Sequence, residues 1–170
     1  RMDADDLMAP HRLEAQLNFA AQNPELQVIS SQVQSFRDNP NEELGEGYAL
    51  YDSWINGLTT HEAIFRERFV ESPIPHPLAM FLKSAIEEIG GYQDQGWPED
   101  YDLWLRAMHH GLQFGKVPEV LLYWRDQEGR TSRVDPRYHH YEFLKCKAHY
   151  LSCGPLKNKQ VVIWGAGPTG

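Results

Sequence analysis

Two groups of acidic side chains in this chain have the types and spacing to do chemistry together. One is Asp3-Ala4-Asp5-Asp6, and the other is Glu99-Asp100 within Trp97-Pro98-Glu99-Asp100-Tyr101-Asp102-Leu103-Trp104-Leu105-Arg106. Two like charges about 4 Å apart repel by roughly 1 kcal/mol in water and roughly 4 kcal/mol at the effective dielectric of a protein surface, so converging carboxylates favour a cation between them. Ligands that offer only oxygen select hard ions such as Mg²⁺ or Mn²⁺, which keep several waters and share their shell with substrate phosphates. That chemistry points to a nucleoside diphosphate. The other role open to the aspartates is a solvated turn that caps the helix after Pro10.

Glu99 and Asp100 are delivered by a loop through Gly96 and Pro98 to the start of a helix. Gly90-Gly91 closes the helical segment before that loop, as glycine does beyond a helix C-terminus. Leu103/Ala107 and Trp104/Met108 then repeat at the spacing of a buried helical face. A carboxylate at such an N-terminus, beside Trp97 and Trp104, has partly apolar surroundings. Partial desolvation raises a carboxylate pKa from its ordinary value of about 4 and suits a general base. Helix capping by one of the two acids is the alternative.

The elements that must position these groups follow from the pattern. A helix is expected from Pro10 to Asn23 with Leu13/Leu17 and Ala20/Ala21 inward, then a strand over Leu26–Val33 and a polar loop over Asn39–Gly47. Helices near Tyr48–Asn56 and Thr60–Phe69 follow, the second with capping-box spacing at Thr59 and Glu62. After the proline-rich passage Ser72–Pro77 come strand Leu78–Leu82, helix Ser84–Ile89, helix Asp100–His110 and strand Val117–Trp124. This alternation is a mixed α/β pattern. Tyr48, Tyr51 and Trp54 are either core residues or platforms for sugar rings.

The ordered series of motifs resembles the family 2 glycosyltransferases of the GT-A fold. Asp3-Ala4-Asp5-Asp6 leading into Pro10–Gln16 resembles their metal-binding motif and following helix. Pro75-His76-Pro77, Met80-Phe81, Gly90-Gly91-Tyr92, Glu99–Arg106 and Val117–Arg125 then recur in the family's order as far as about Arg133. The resemblance implies a partial GT-A fold, a mixed sheet flanked by helices, and an inverting, metal-dependent transfer of sugar from a nucleotide-activated donor to a glycan or lipid-linked acceptor, in cell-surface polysaccharide synthesis. It assigns Asp3 and Asp5 to a Mn²⁺ or Mg²⁺ ion, with Asp3 also facing the donor ribose and Asp6 orienting the donor side. Asp100 becomes the catalytic base and Glu99 its orienting partner. Arg125 and Arg130 become candidates for the donor diphosphate, because guanidinium offers paired donors to phosphate oxygens. Structural salt bridges are the alternative for both. Where many relatives place a histidine shortly after that arginine, this chain has Gln127 and Glu128. His76 and Trp97 are placed on the acceptor side.

The same resemblance divides the chain into the C-terminal part of a GT-A domain over residues 1–135, a helical linker over 136–158, and over 159–170 the first strand and glycine turn of a Rossmann-like domain. Gly165-Ala166-Gly167-Pro168-Thr169-Gly170 has dinucleotide-turn spacing after the apolar run Gln160–Trp164. The family opens with base-binding strands that would precede Arg1, so this chain alone is expected to bind donor weakly and to be inactive. Two other readings are a non-catalytic sugar-binding or assembly module and, from the glycines, an oxidoreductase.

Composition bounds these readings. With 170 residues and 41% hydrophobic content, a sizeable single core can form. A formal net charge of -8 argues against nucleic acid as the main partner, since phosphate backbones require a basic footprint. No apolar run approaches the roughly eighteen residues of a membrane span. Cys146 and Cys153, two cysteines in a domain of this size, suggest a reducing compartment. The expected location is the cytoplasm, at the inner face of the membrane where an acceptor is lipid-linked, and a homo-oligomer is compatible with the pattern.

Overall fold

Val28–Phe36 is an apolar and small-residue run broken by Gln32 and Gln34, and it is buried from Val28 to Ser31 and again at Val33 and Ser35, as suits a central strand covered on both faces. The computed structural model describes residues 2–39, 44–127 and 129–162. In chain order the elements are β1 (Leu7–Met8), α1 (Arg12–Gln22), β2 (Val28–Phe36), α2 (Glu46–Gly57), α3 (His61–Glu67), a 3-10 turn at His76–Leu78, β3 (Met80–Phe81) and α4 (Lys83–Glu88). Then come α5 (Glu99–His109), β4 (Phe114–Arg125), α6 (Thr131–Val134), a 3-10 turn at Pro136–Tyr138 and α7 (His140–Cys153). The described strands form one mixed sheet in the order β1-β4-β2-β3, an α/β architecture with helices against the sheet, consistent with a partial GT-A fold.

β4 is longer than expected. It runs parallel to β2 from Val28↔Phe114 to Phe36↔Arg125, with the register slipping where Ser31 faces Val117 and Gln32 faces Val120. Pro118 and Glu119 are skipped at the first slip, and Leu121 at a second between Gln32 and Val33. Proline has no N–H to give the ladder, so a central strand admits it only at such a bulge. On its other side β4 pairs antiparallel with the short β1, Leu7↔Tyr123 and Met8↔Leu122. That pairing places the aspartates just before β1 at the end of β4.

The main core gathers round Trp104, which is fully buried with Val28, Ile74, Leu103 and Phe114 and donates its Nε1–H to the Ile74 carbonyl at 3.1 Å. The inward face of α1 differs from expectation. Leu13 and Leu17 are 53% and 59% exposed, whereas Arg12 and Gln16 are buried. Their polar ends find backbone carbonyls: Arg12 Nη2 donates to Pro77 O at 2.6 Å and Gln16 Nε2 to Leu78 O at 2.9 Å. A buried polar group satisfied in this way costs little. Ala15, Phe19 and Ala20 supply the apolar contact with Ile29, Val117 and Leu121.

The cap of α3 is Thr60, not Thr59. Its Oγ1 accepts from the Ala63 N–H at 3.3 Å. α7 lies along α5, with Cys146 and Tyr150 buried against Tyr101 and Leu105. Both cysteines are free thiols. Most of the apolar run Gln160–Trp164 and its glycine turn was expected where residues 163–170 lie, outside the described residues. Gln160–Val162 form no strand.

Candidate functional site

The two acidic groups separated in sequence line one cavity of about 580 Å³. Asp3, Asp5 and Asp6 border it from the segment before β1, and Glu99 and Asp100 from the first turn of α5. Between them stand His76, Trp124, Arg125, Gln127 and Arg130.

β4 holds the aspartate segment by direct contacts. The Arg125 N–H donates to Asp6 Oδ1 at 2.9 Å, and Arg125 Nε donates to the Asp5 carbonyl at 2.6 Å. The same guanidinium pairs with Asp38 and lies 4.9 Å from the Phe36 ring centre. Arg125 therefore borders the cavity with its charge already engaged. Asp5 Oδ2 accepts from Gln127 Nε2 at 2.6 Å, so the glutamine that follows the arginine meets the metal-motif aspartate. Asp6 is 6% exposed, and among the described residues its Oδ2 has no hydrogen-bond partner. Burial pushes the Asp6 carboxyl up to about 6 against the pull of the Arg125 N–H, with Asp5 and Asp3 adding to the rise. The aspartates do not cap α1, which begins after His11.

Arg130 is placed differently from Arg125. Its guanidinium lies 4.1 Å from the Trp124 ring centre, and among the described residues no carboxylate pairs with it. Behind the loop, Asp126 is clamped by Arg37 at 2.8 Å and Arg133 at 2.5 Å. Burial opposes its ionisation, yet Arg37, Tyr48 and Arg133 together hold the Asp126 carboxyl below its ordinary value.

Pro98 precedes the first helical residue of α5, and Glu99, Asp100 and Asp102 crowd the positive end of its dipole. Neither Glu99 nor Asp100 is the cap residue. Asp100 Oδ1 accepts from the Tyr101 N–H at 2.8 Å. Glu99 Oε1 accepts from the Tyr138 hydroxyl at 3.3 Å, and Oε2 lies 3.6 Å from Arg137 Nη1. Burial, followed by the charges of Asp100 and Glu99, pushes the Tyr138 phenol up, so it remains a donor at neutral pH. α5 itself is anchored by Asp102, which accepts from Trp97 Nε1, Tyr150 OH and Arg106.

His76 is buried, borders the cavity, and has the Tyr92 hydroxyl 2.7 Å from its Nε2. Trp97 is a correction. Its indole is committed to Asp102 at 2.9 Å and to His149, ring centres 5.5 Å apart, so it does not line the cavity and supports α5 from behind. Tyr51 also lines the cavity, packed against Trp54 and Trp124. Glu71, Ser72, Tyr138 and Phe143 border it as well and were not anticipated. Glu71 follows a helix with no motif around it, and Tyr138 and Phe143 lie in the stretch read as a linker.

The donor set has a definite character. Among the described residues no three His, Cys, Asp or Glu side chains are arranged to hold a metal ion by themselves. Asp3 and Asp5 offer oxygen alone, and Asp6, whose buried Oδ2 is unbonded among the described residues, borders the same cavity. That set fits a hard cation shared with phosphates, which needs only one or two carboxylates from protein.

Comparison with known proteins identifies the family. The family model described as glycosyl transferase family group 2 matches residues 1–140. An uncharacterized glycosyltransferase of Haemophilus influenzae is 32% identical over 133 residues, covering 78% of this chain and 46% of that protein. The UDP-Gal:alpha-D-GlcNAc-diphosphoundecaprenol beta-1,3-galactosyltransferase of Escherichia coli is 27% identical over 163 residues, covering 96% and 56%. The amylovoran biosynthesis glycosyltransferase AmsE of Erwinia amylovora is 30% identical over 122 residues, covering 72% and 42%. The chain thus spans about half the length of these curated relatives. With the family model covering most of its length and the motif residues gathered at one cavity, the chain belongs to glycosyl transferase family group 2.

Proposed function

We propose that the protein containing this chain transfers a sugar from a nucleotide-activated donor to an acceptor hydroxyl, with inversion and with a divalent cation, in cell-surface polysaccharide synthesis. The observation that carries this reading is the single cavity bordered by Asp3, Asp5 and Asp6 and by Glu99 and Asp100.

In this mechanism Asp100 takes the proton of the acceptor hydroxyl as its oxygen bonds to the anomeric carbon of the donor. The bond from that carbon to the diphosphate oxygen breaks, and its electron pair leaves with the nucleoside diphosphate. One displacement of this kind inverts the anomeric centre. Glu99, held by Tyr138 and Arg137, orients the acceptor and Asp100. Arg130 supplies paired donors to the diphosphate from its seat on Trp124. Arg125 keeps Asp5 and Asp6 in place and borders the same end. Asp3 and Asp5 would hold Mn²⁺ or Mg²⁺, and when bound the ion supplies Lewis-acid stabilisation of charge on the leaving diphosphate.

No helix of the described residues is long and apolar enough to cross a membrane. The Escherichia coli relative is named for a diphosphoundecaprenol acceptor. An acceptor of that lipid-linked class would place this protein at the inner face of the membrane.

The test is release of nucleoside diphosphate from a panel of nucleotide sugars by the full-length protein, with and without Mn²⁺. Metal-dependent release, abolished by Asp100→Asn when acceptor is present, is expected. Absence of release under every condition would assign the chain to sugar binding without turnover.

A further inference from the structure

Glu71 stands at the cavity with nothing in the transfer mechanism for it to do. It lies after α3, and its Oε1 accepts from the neighbouring Ser72 N–H at 2.9 Å. Among the described residues no donor reaches its Oε2. The segment is fixed in place, because the Tyr51 hydroxyl donates to the Ser72 carbonyl at 2.9 Å. Glu71 is therefore a pre-positioned acceptor of hydrogen bonds, with an open oxygen at the border of the cavity that holds Asp100.

Its surroundings match a sugar ring. Ser72 lies beside it, and Tyr138 and Phe143 add a hydroxyl and aromatic faces to the same cavity. Carboxylates accept well from sugar hydroxyls in a partly desolvated site, and aromatic faces cover the apolar side of a ring. Charge narrows the choice. Six carboxylates and two guanidiniums border the cavity, and both guanidiniums come from Arg125 and the loop that follows it. Glu71, Glu99 and Asp100 are the charged groups supplied by α5 and the segment after α3. The cations shown beside this group are already engaged: Arg137 pairs with Asp135 at 2.7 Å and faces Glu99 at 3.6 Å, and Lys147 donates to the Val70 carbonyl at 2.9 Å.

We propose that Glu71 recognises the hydroxyls of the acceptor sugar and, with Glu99 and Asp100, restricts that ring to an uncharged sugar, excluding uronates. This rests on the transferase reading for its word acceptor, and it adds the substrate class.

The experiment compares octyl β-glucoside with octyl β-glucuronide, which differ by a hydroxymethyl against a carboxylate, by ligand-observed NMR titration on the full-length protein. The titrations run with and without UDP and Mn²⁺. The wild type is expected to bind the glucoside about 30-fold more tightly than the glucuronide, the size of one poorly screened like-charge contact. Glu71→Gln is expected to bring that ratio to within about 3-fold, and Glu71→Lys to reverse it. Equal affinities in the wild type, an unchanged ratio in both variants, or failure of both glycosides to bind would overturn the proposal. Binding of UDP with Mn²⁺, measured on the wild type alone, is read separately. Absence of binding for every member of a nucleoside diphosphate panel (UDP, GDP, dTDP) with Mn²⁺, alongside intact discrimination, would sustain the Glu71 assignment and remove the transferase reading.

Discussion

Asp102 and Arg106, one helical turn apart on α5, form an ion pair with Oδ2 and Nη2 2.9 Å apart, and both side chains are withdrawn from solvent. The guanidinium also donates to the carbonyls of Ile89 at 2.5 Å and Gly91 at 2.7 Å, tying α5 to the turn after α4. Trp97 and Tyr150 fill the remaining lone pairs of Asp102. The helix that presents Glu99 and Asp100 is thus held at its middle by a fully bonded charge pair. Arg106→Leu leaves a buried carboxylate without its cation and is expected to cost about 3–5 kcal/mol, read as a lower midpoint in urea unfolding. A midpoint like that of wild type would mean that the pair contributes nothing to holding α5.

Asp100→Asn keeps the shape of the site and removes the base. Turnover is expected to fall by about 10²- to 10⁴-fold while donor affinity stays near that of wild type, measured by steady-state kinetics and by titration with donor. Parallel loss of affinity and turnover would make Asp100 an architectural residue.

Asp5→Ala is expected to weaken both metal and donor binding, because the carboxylate proposed to meet the cation is gone. Gln127 loses its partner at the same time. Titration with Mn²⁺ in the presence of UDP checks this, and an unaltered metal dependence removes Asp5 from the metal site.

Arg130→Ala is expected to weaken nucleoside diphosphate binding by about 10-fold, since one charge-assisted contact contributes about 1.5 kcal/mol or more. The border position and the absence of a carboxylate partner among the described residues leave this guanidinium available. Half-exposed charges are screened by salt, so the gap between variant and wild type should narrow as ionic strength rises. Calorimetric titration with UDP at two salt concentrations distinguishes this from a packing role on Trp124.

Lys116 makes stability depend on pH. It is 1% exposed on β4, donates to Ile55 O at 2.5 Å, and burial lowers its pKa from 10.5 to about 7. Between pH 7 and 10.5 the unfolded chain holds a proton that the folded chain has released, so this group makes stability rise with pH. The slope is at most about 1.4 kcal/mol per pH unit, and below the folded value the burial penalty is fully present. Lys116→Met is expected to flatten the rise in urea unfolding measured at pH 7, 8 and 9. Curves for wild type and variant that stay parallel across that range would show that Lys116 keeps an ordinary pKa.

The run Glu99–Arg106 and the segment Asp3–Asp6 were legible because their chemistry is local: acids at a helix N-terminus and acids in one tight segment announce themselves by type and spacing. The α/β alternation was legible for the same reason, since periodicity is a property of neighbouring residues. Which face of α1 is covered was not. Periodicity groups Leu13 with Leu17 and Arg12 with Gln16 equally well, and the outcome depended on carbonyls at Pro77 and Leu78 that only folding brings near. Trp97 in sequence suits a substrate-facing position, yet the partner that claims its N–H is Asp102, which also accepts from Arg106 on α5 and Tyr150 on α7. Glu71, Tyr138 and Phe143 reach the cavity from segments that carry no motif. Sequence by itself determined the kinds of groups available and the elements that carry them. The convergence of those groups on one cavity was decided by the antiparallel pairing of β1 with β4 and the packing of α7 on α5, contacts between residues far apart along the chain.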